Sequence, residues 1–395
     1  MGFTMFDAII IGSGPAGSHA AYLLAKMRYK VLLIEGRKTP KQSINCSGII
    51  GLEAFREFDL WDVPVLNRIN KFKFISPSGK PFIYQSDSDL AFVVDRSGFD
   101  YYLTSRAISA GASFLDESWV RKILIDENEV NVCIQSKGRS YKLRAKVGVI
   151  AAGYSSPLVE MVGLKSPLRF IEAAQADVYG SGFDHTDVYL GNRIAPGSFA
   201  WLIPLGNERG LVGLTTEKNS VQHLQFLLNK LKAEKNISRV TNLQHSVIPL
   251  GLIPKAFTRR ILVVGEAAGQ VKTTTNGGIY YGMIGAEIAA QVLKKAIQKN
   301  RFDEEILHQY DQLWRAKLGP EIQLGLKLRE MYSHLSDSKI DMLFSIVSMD
   351  GLLPLIKKNL NFDWHKGLIL SLITKPLIRR LFGIKLQNVD CTQES

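Results

Sequence analysis

Gly12, Gly14 and Gly17 stand at the spacing of a G-x-G-x-x-G turn, and a carboxylate, Glu35, closes the unit that they open. These residue types suit a dinucleotide. Gly12 permits a tight turn, Gly14 lets the backbone approach a pyrophosphate, and Gly17 lets the next helix pack closely on the strand before it. That helix, opened by Pro15 and Ala16, turns its free N-terminal amides towards the anion. Glu35 stands where a carboxylate accepts hydrogen bonds from ribose hydroxyls. The glycines alone are weak evidence, but their setting is stronger. The apolar run Phe6-Asp7-Ala8-Ile9-Ile10-Ile11 precedes them, an Ala- and Leu-rich stretch follows, and Val31-Leu32-Leu33-Ile34 leads to the acid. Strand, turn, helix and strand agree on a βαβ unit that binds a dinucleotide.

A second cluster decides which one. Ile261-Leu262-Val263-Val264-Gly265-Glu266-Ala267-Ala268-Gly269 reads as a buried strand running into a Gly/Ala turn with an acid at its tip. Asn276-Gly277-Gly278-Ile279-Tyr280-Tyr281-Gly282-Met283 then leads into a helical run at residues 285–290. Two such elements suit FAD, whose length demands partners for its ribityl chain and pyrophosphate as well as its adenosine. A simply built NAD dehydrogenase has no need of the second. The plainer alternative is an ordinary β–α connection with glycines for packing. A helix starting after Gly277 and Gly278 would also favour negative charge on a reduced flavin ring. No metal is expected, because none of the seven histidines has ligand spacing and Cys46, Cys133 and Cys391 form no C-x-x-C pair.

Four more segments extend the pattern: Asn45-Cys46-Ser47-Gly48, Val94-Asp95-Arg96-Ser97-Gly98-Phe99-Asp100, Ile150-Ala151-Ala152-Gly153 and Pro196-Gly197-Ser198-Phe199-Ala200-Trp201-Leu202-Ile203-Pro204. Together with the two nucleotide elements they resemble the geranylgeranyl reductase family, a branch of the aromatic-hydroxylase-like flavoproteins. The segment at Arg96 is similar to the R-x-x-F-D element that contacts the cofactor. The one at 196–204 is similar to P-x-x-Y-x-W-x-F-P, with Phe199 for Tyr and Ile203 for Phe. The one at Cys46 is similar to the P-C-G-G loop. The resemblance runs from residue 6 to about residue 290, and the last hundred residues match only in being helical and apolar. Two departures stand out. Glu266 replaces an Asp, and residues 272–278 replace a segment that usually carries a Pro and a Gly-Glu-Gly.

The resemblance implies an α/β fold in which a Rossmann-like FAD-binding domain carries an inserted, mostly antiparallel β-sheet substrate domain and a C-terminal helical region. The expected divisions are 1–67, 94–166 and 255–300 for the cofactor, 68–93 and 167–254 for the substrate, and 301–395 for the helices. Arg37, Cys46, Ser47, Gly48, Arg96, Gly153, Gly265, Glu266, Gly277, Gly278 and Ile279 would join the glycines and Glu35 around FAD. Phe199, Trp201, Ile203 and Tyr280 would line a prenyl tunnel. The implied reaction reduces C=C bonds of geranylgeranyl groups in a prenyl lipid or prenyl diphosphate, with hydride from flavin N5 and a proton from an acid. Cys46 is a proton donor, a gate, or a small buried hydrophobe. A monooxygenase or halogenase of the same superfamily is an alternative, opposed by Gly269 and Thr273 and by the absence of a W-x-W-x-I-P element. A non-catalytic flavin-binding protein at a membrane surface is another. Neither a second complete G-x-G-x-x-G nor an iron–sulfur cysteine set is present, so NAD(P)H bound transiently or a ferredoxin would supply electrons.

The elements that must hold these residues fit the chain's size. Its 395 residues, 46% hydrophobic, suffice for two intertwined domains and a helical piece, expected as a monomer. Residues 68–93 and 168–250 read as short alternating strands, with a polar helix near 219–235. A helix starts at Asp100 and ends at Gly111, and strands flank Lys137-Gly138 as a hairpin. The spaced cysteines and the absence of a leader before the first strand point to the cytoplasm. The net charge of +12 raises the question of nucleic acid, but no nucleic-acid motif is present. Residues 357–385 concentrate seven of the basic side chains (Lys357, Lys358, Lys366, Lys375, Arg379, Arg380 and Lys385) among leucines and isoleucines. This is either an amphipathic segment for an anionic membrane surface or a core helix with a solvated basic face.

Overall fold

The computed structural model describes residues 5–40, 44–154, 157–348 and 352–382. Lys385 and Cys391 lie outside the described residues. The apolar run at the N-terminus forms the strand Phe6–Ile11, whose last four residues are buried. It pairs in parallel with Val31–Ile34 on one side and Arg139–Ile150 on the other. The sheet continues through Ile261–Val263 and Phe257–Thr258 at one edge and Ser113–Leu115 at the other. Burial on both faces explains why Phe6–Ile11, Val31–Ile34 and Ile261–Val263 read as apolar runs instead of alternating ones. The helix Pro15–Lys26 makes the crossover, with Pro15 at its first position, where the missing N–H costs nothing. It packs on the helix Ile279–Lys299 through small residues: a Cβ on Gly282 would sit 3.4 Å from that of Ala16.

A second sheet of seven strands runs in the order Asn236–Leu250, Arg169–Ser181, Arg209–Thr216, Phe199–Gly206, Thr186–Leu190, Lys71–Ile75 and Pro81–Gln85. All its pairings are antiparallel except that of Thr186–Leu190 with Lys71–Ile75. The helix Ser220–Glu234 covers one face with Leu224, Leu227, Leu228 and Leu231, packed over Ala200, Leu202, Val212 and Leu214. The period of two along Phe199–Gly206 therefore puts Phe199, Trp201 and Ile203 on the opposite face. A small third sheet joins Ile49–Gly51, Ala91–Val94 and Val65–Ile69, so the stretch 68–93 divides between two sheets.

The α/β architecture expected from the sequence is present, with local differences. The helix expected from Asp100 starts at Arg96, because Asp95 caps it by accepting the Gly98 amide at 2.6 Å. The basic tail is not one amphipathic helix. It breaks into Leu353–Asn359, Lys366–Ile373 and Pro376–Phe382, with a loop at 360–365. Among the described residues no helix is long and apolar enough to cross a membrane.

Candidate active site

One cavity of about 1450 Å³ runs between the two sheets and under the C-terminal helices. Its first wall is the glycine turn. Gly14, in extended conformation, caps the helix Pro15–Lys26 without a side chain, and a Cβ there would meet no protein atom within 4 Å. The backbone thus faces open cavity beside a helix N-terminus, which fits a pyrophosphate. Gly12 and Gly17 serve packing: a Cβ on Gly17 would lie 1.9 Å from the Gly12 carbonyl oxygen, and Gly12 has φ +107°. Glu35 is fixed at the cavity edge. Its Oε2 accepts from the Ser13 amide (3.0 Å) and hydroxyl (2.9 Å), and its Oε1 accepts from the Arg37 amide (3.0 Å). These bonds set the carboxylate at the cavity border, where a ribose hydroxyl would reach it.

Deeper in, four polar groups converge. The buried Arg96 guanidinium donates to Asp100 at 2.8 Å and lies beside Cys46, while its Nε has no partner. Glu266 is exposed to the cavity but ringed by protein, and this desolvation raises its carboxyl above the usual range, which Arg96 opposes and Asp100 reinforces. Its extra methylene is absorbed against Gly278, where a Cβ would sit 3.2 Å from Oε1. The helix Ile279–Lys299 starts there with no side-chain cap, so its first amides are available to an acceptor in the cavity. An isoalloxazine with a charge-bearing pyrimidine edge fits this donor set.

Beyond lies an apolar chamber. Phe199, Trp201 and Ile203 form part of its floor, with Phe72, Phe74, Phe82 and Tyr84 from the adjoining strands. Trp201 lies flat because Gly213 on the next strand has no side chain: a Cβ there would come 2.6 Å from the indole. The roof comes from the C-terminal helices, through Ile340, Phe344, Val347, Leu368 and Leu372. Of the residues expected at the site, all border the cavity except Gly17 and Gly48. Gly48 instead turns the cysteine loop, at φ +72° and tight against the Val94 carbonyl. Tyr280 borders the cavity with its ring, while its hydroxyl donates to Glu57 and its ionisation is pushed up by burial and that carboxylate.

The sequence reading missed the loop 361–365. Lys272 and Asp363 form a buried ion pair, Trp364 packs on Tyr280 and Tyr281, and His365 accepts from the Thr274 hydroxyl at 2.5 Å while donating to the Phe362 carbonyl at 3.0 Å. Burial, and then the charge of Lys272, push the His365 pKa down to about 4. The folded state thus binds this proton less tightly than the unfolded chain, whose histidine titrates at 6.5. Stability from His365 is complete above pH 6.5 and is lost as pH falls towards 4, by about 3 kcal/mol at most. Denaturant melts of wild type and His365→Gln at pH 7 and pH 4.5 check this. The variant should lose clearly less stability on acidification, and equal losses would refute the assignment.

Comparison with known proteins agrees with this layout. The family model for lycopene cyclase protein matches residues 7–335. A digeranylgeranylglycerophospholipid reductase of Methanocaldococcus jannaschii is 33% identical over 364 residues, covering 88% of this chain and 92% of its own. The crystal structure of a geranylgeranyl bacteriochlorophyll reductase-like protein from Thermoplasma acidophilum superposes with TM-score 0.87 at 25% identity, over 97% of this chain and 100% of that one. A flavin-dependent brominase shares the fold more distantly, with TM-score 0.72 at 18% identity over 95% of this chain and 100% of its own. The fold is that of FAD-dependent oxidoreductases. With a third of its residues identical to a named reductase over most of both chains, the protein belongs to the geranylgeranyl reductase family.

Proposed function

We propose that the protein binds FAD and reduces isoprenoid C=C bonds of geranylgeranyl groups carried by a prenyl lipid or prenyl diphosphate. The observation that supports this most directly is the continuity of the cavity: one space joins the glycine turn and Glu35 to an apolar chamber. FAD, when bound and reduced, supplies hydride from N5. Gly14 and Glu35 would hold its pyrophosphate and ribose, and Arg96, Glu266 and the first amides of Ile279–Lys299 would hold its ribityl–pyrimidine end. The aromatic floor and the helical roof exclude water and align the chain, and alignment supplies much of the rate for an alkene that has no carbonyl to activate it. NAD(P)H or a ferredoxin would donate the electrons. Anaerobic photoreduction followed by addition of a geranylgeranyl lipid tests the reading. Lipid-dependent reoxidation is expected. Reoxidation by O2 alone would favour a monooxygenase or halogenase, and a flavin indifferent to both would favour a binding protein.

The tail offers a route to a bilayer-borne substrate, and we place the monomeric protein in the cytoplasm at an anionic membrane surface. Leu368 and Leu372 border the cavity and Ile369 and Ile378 are buried. Leu370 and Leu377, by contrast, are 47% and 53% exposed, among exposed Lys357, Lys358, Lys366 and Arg380. Each basic residue near such a surface contributes about 1 kcal/mol, less as salt screens it. The protein should cosediment with anionic vesicles at low salt and detach at high salt without detergent. Neutralising Lys375, Arg379 and Arg380 together should weaken binding and leave the flavin spectrum unchanged. Indifference of the wild type to these vesicles would refute the placement.

A further inference from the structure

Lys272 and Asp363 meet in the cavity wall at the junction between the dinucleotide half and the apolar chamber. Nζ lies 2.5 Å from Oδ1, and the side chains are 7% and 1% exposed. Lys272 opens the turn that returns to Gly277, where its amide donates to the carbonyl at 2.9 Å. Its side chain runs beside that glycine, since a Cβ on Gly277 would sit 2.9 Å from Lys272 Cε. Asp363 arrives from the loop under the helical roof. Its Oδ2 is buried with no hydrogen-bond partner and abuts Gly51, where a Cβ would come within 1.9 Å. The Phe362 ring lies 4.9 Å from Nζ. Among the described residues bordering the cavity, Lys272 is the one lysine.

Stability does not account for this arrangement. A buried ion pair is commonly no better than apolar residues of similar volume, and an unpaired carboxylate oxygen adds a desolvation cost. What the pair does provide is a proton on nitrogen, at the edge of an apolar chamber, with the counter-charge that a buried ammonium needs. We propose that Lys272, paired with Asp363, supplies the proton that saturates the isoprenoid double bond. This rests on the reductase reading above. In the step, one alkene carbon takes a hydride, with its electron pair, from the reduced flavin. The other carbon takes a proton from Lys272 Nζ. The π bond is replaced by two C–H bonds, an N–H bond of Lys272 breaks, and the neutral amine stays beside Asp363 until solvent returns the proton. The substrate is reduced and the flavin oxidised by two electrons. Asp363 acts through Lys272 as its positioning residue.

The test uses Lys272→Met, Lys272→Ala, Asp363→Asn and the paired Lys272→Met/Asp363→Leu, which leaves no buried charge unpaired and so protects folding. Each is titrated with FAD and with a geranylgeranyl lipid by fluorescence, then reduced anaerobically and mixed with the lipid. Both affinities should stay within about threefold of wild type in the paired variant. Lipid-dependent reoxidation should fall at least 100-fold, the scale of a lost general acid. Added ethylammonium should restore part of the rate to Lys272→Ala, which a merely structural role would not allow. Independently of flavin, geranylgeranyl aldehyde with cyanoborohydride should alkylate Lys272 in the apoprotein, read by peptide mass spectrometry. Paired-variant reoxidation at the wild-type rate, a rate loss explained by lost binding without amine rescue, or labelling elsewhere overturns the proposal alone. A wild type that no prenyl lipid reoxidises overturns the reductase reading, and this proposal with it.

Discussion

Gly14→Val should yield a folded protein that holds no flavin. The structure separates the two consequences because a side chain at Gly14 would meet nothing of the protein within 4 Å, and its extended backbone suits a β-branched residue. Only a ligand that needs the bare backbone would collide with it. Losing that approach should weaken FAD at least 100-fold, about 2.7 kcal/mol, so that the purified variant is colourless with an unchanged circular dichroism spectrum and melting midpoint when compared with wild-type apoprotein. Gly17→Val provides the contrast. Its Cβ would lie 1.9 Å from the Gly12 carbonyl, so the strand–helix contact itself must open and the variant should be unstable or insoluble. If Gly14→Val stays yellow at wild-type stoichiometry, the glycine turn does not hold the cofactor.

That contrast shows why half of this site is legible in the sequence. A dinucleotide wall is a constraint on backbone, local in the chain, and it forces glycine at fixed spacing before a strand-end acid. Gly12, Gly14 and Glu35 could be read from it directly. The alternation of Phe199, Trp201 and Ile203 gave their shared face, although not which face; the helix Ser220–Glu234 decides that by covering Ala200 and Leu202. The roof was not legible. Ile340, Phe344, Leu368 and Leu372 belong to short helices whose apolar stripes look alike whether they meet a core, a cavity or a bilayer. The Lys272–Asp363 pair joins positions 91 residues apart, and nothing local to either predicts the other. Gly213 is invisible for the same reason, since its meaning lies in an indole on the neighbouring strand. The helix Arg96–Ser109 starts four residues before the expected Asp100, because a single carboxylate, that of Asp95, caps it there.

Trp201→Ala should separate chain recognition from cofactor binding. The indole is half-buried, rests on Gly213 and meets the Phe199 ring with centroids 5.9 Å apart. Truncating a buried aromatic of this size costs about 3–5 kcal/mol. If most of that contact is made with the prenyl chain in the transition state, kcat/KM for a geranylgeranyl substrate should fall by about 10²–10³, with FAD affinity changed only a few-fold. Phe199→Ala, at the edge of the floor, should cost less, about tenfold, by the same area argument. Gly213→Val makes the opposite change without deleting any contact, since its side chain must lift the indole into the chamber. It should penalise geranylgeranyl more than a single-isoprene substrate, whereas Trp201→Ala should narrow the advantage of long chains by removing their support. The quantity to measure is therefore the ratio of kcat/KM for long over short prenyl substrates in the three variants. If both aromatic truncations leave that ratio and the absolute rates at wild-type values, Phe199 and Trp201 are sheet core and the chain lies against another wall.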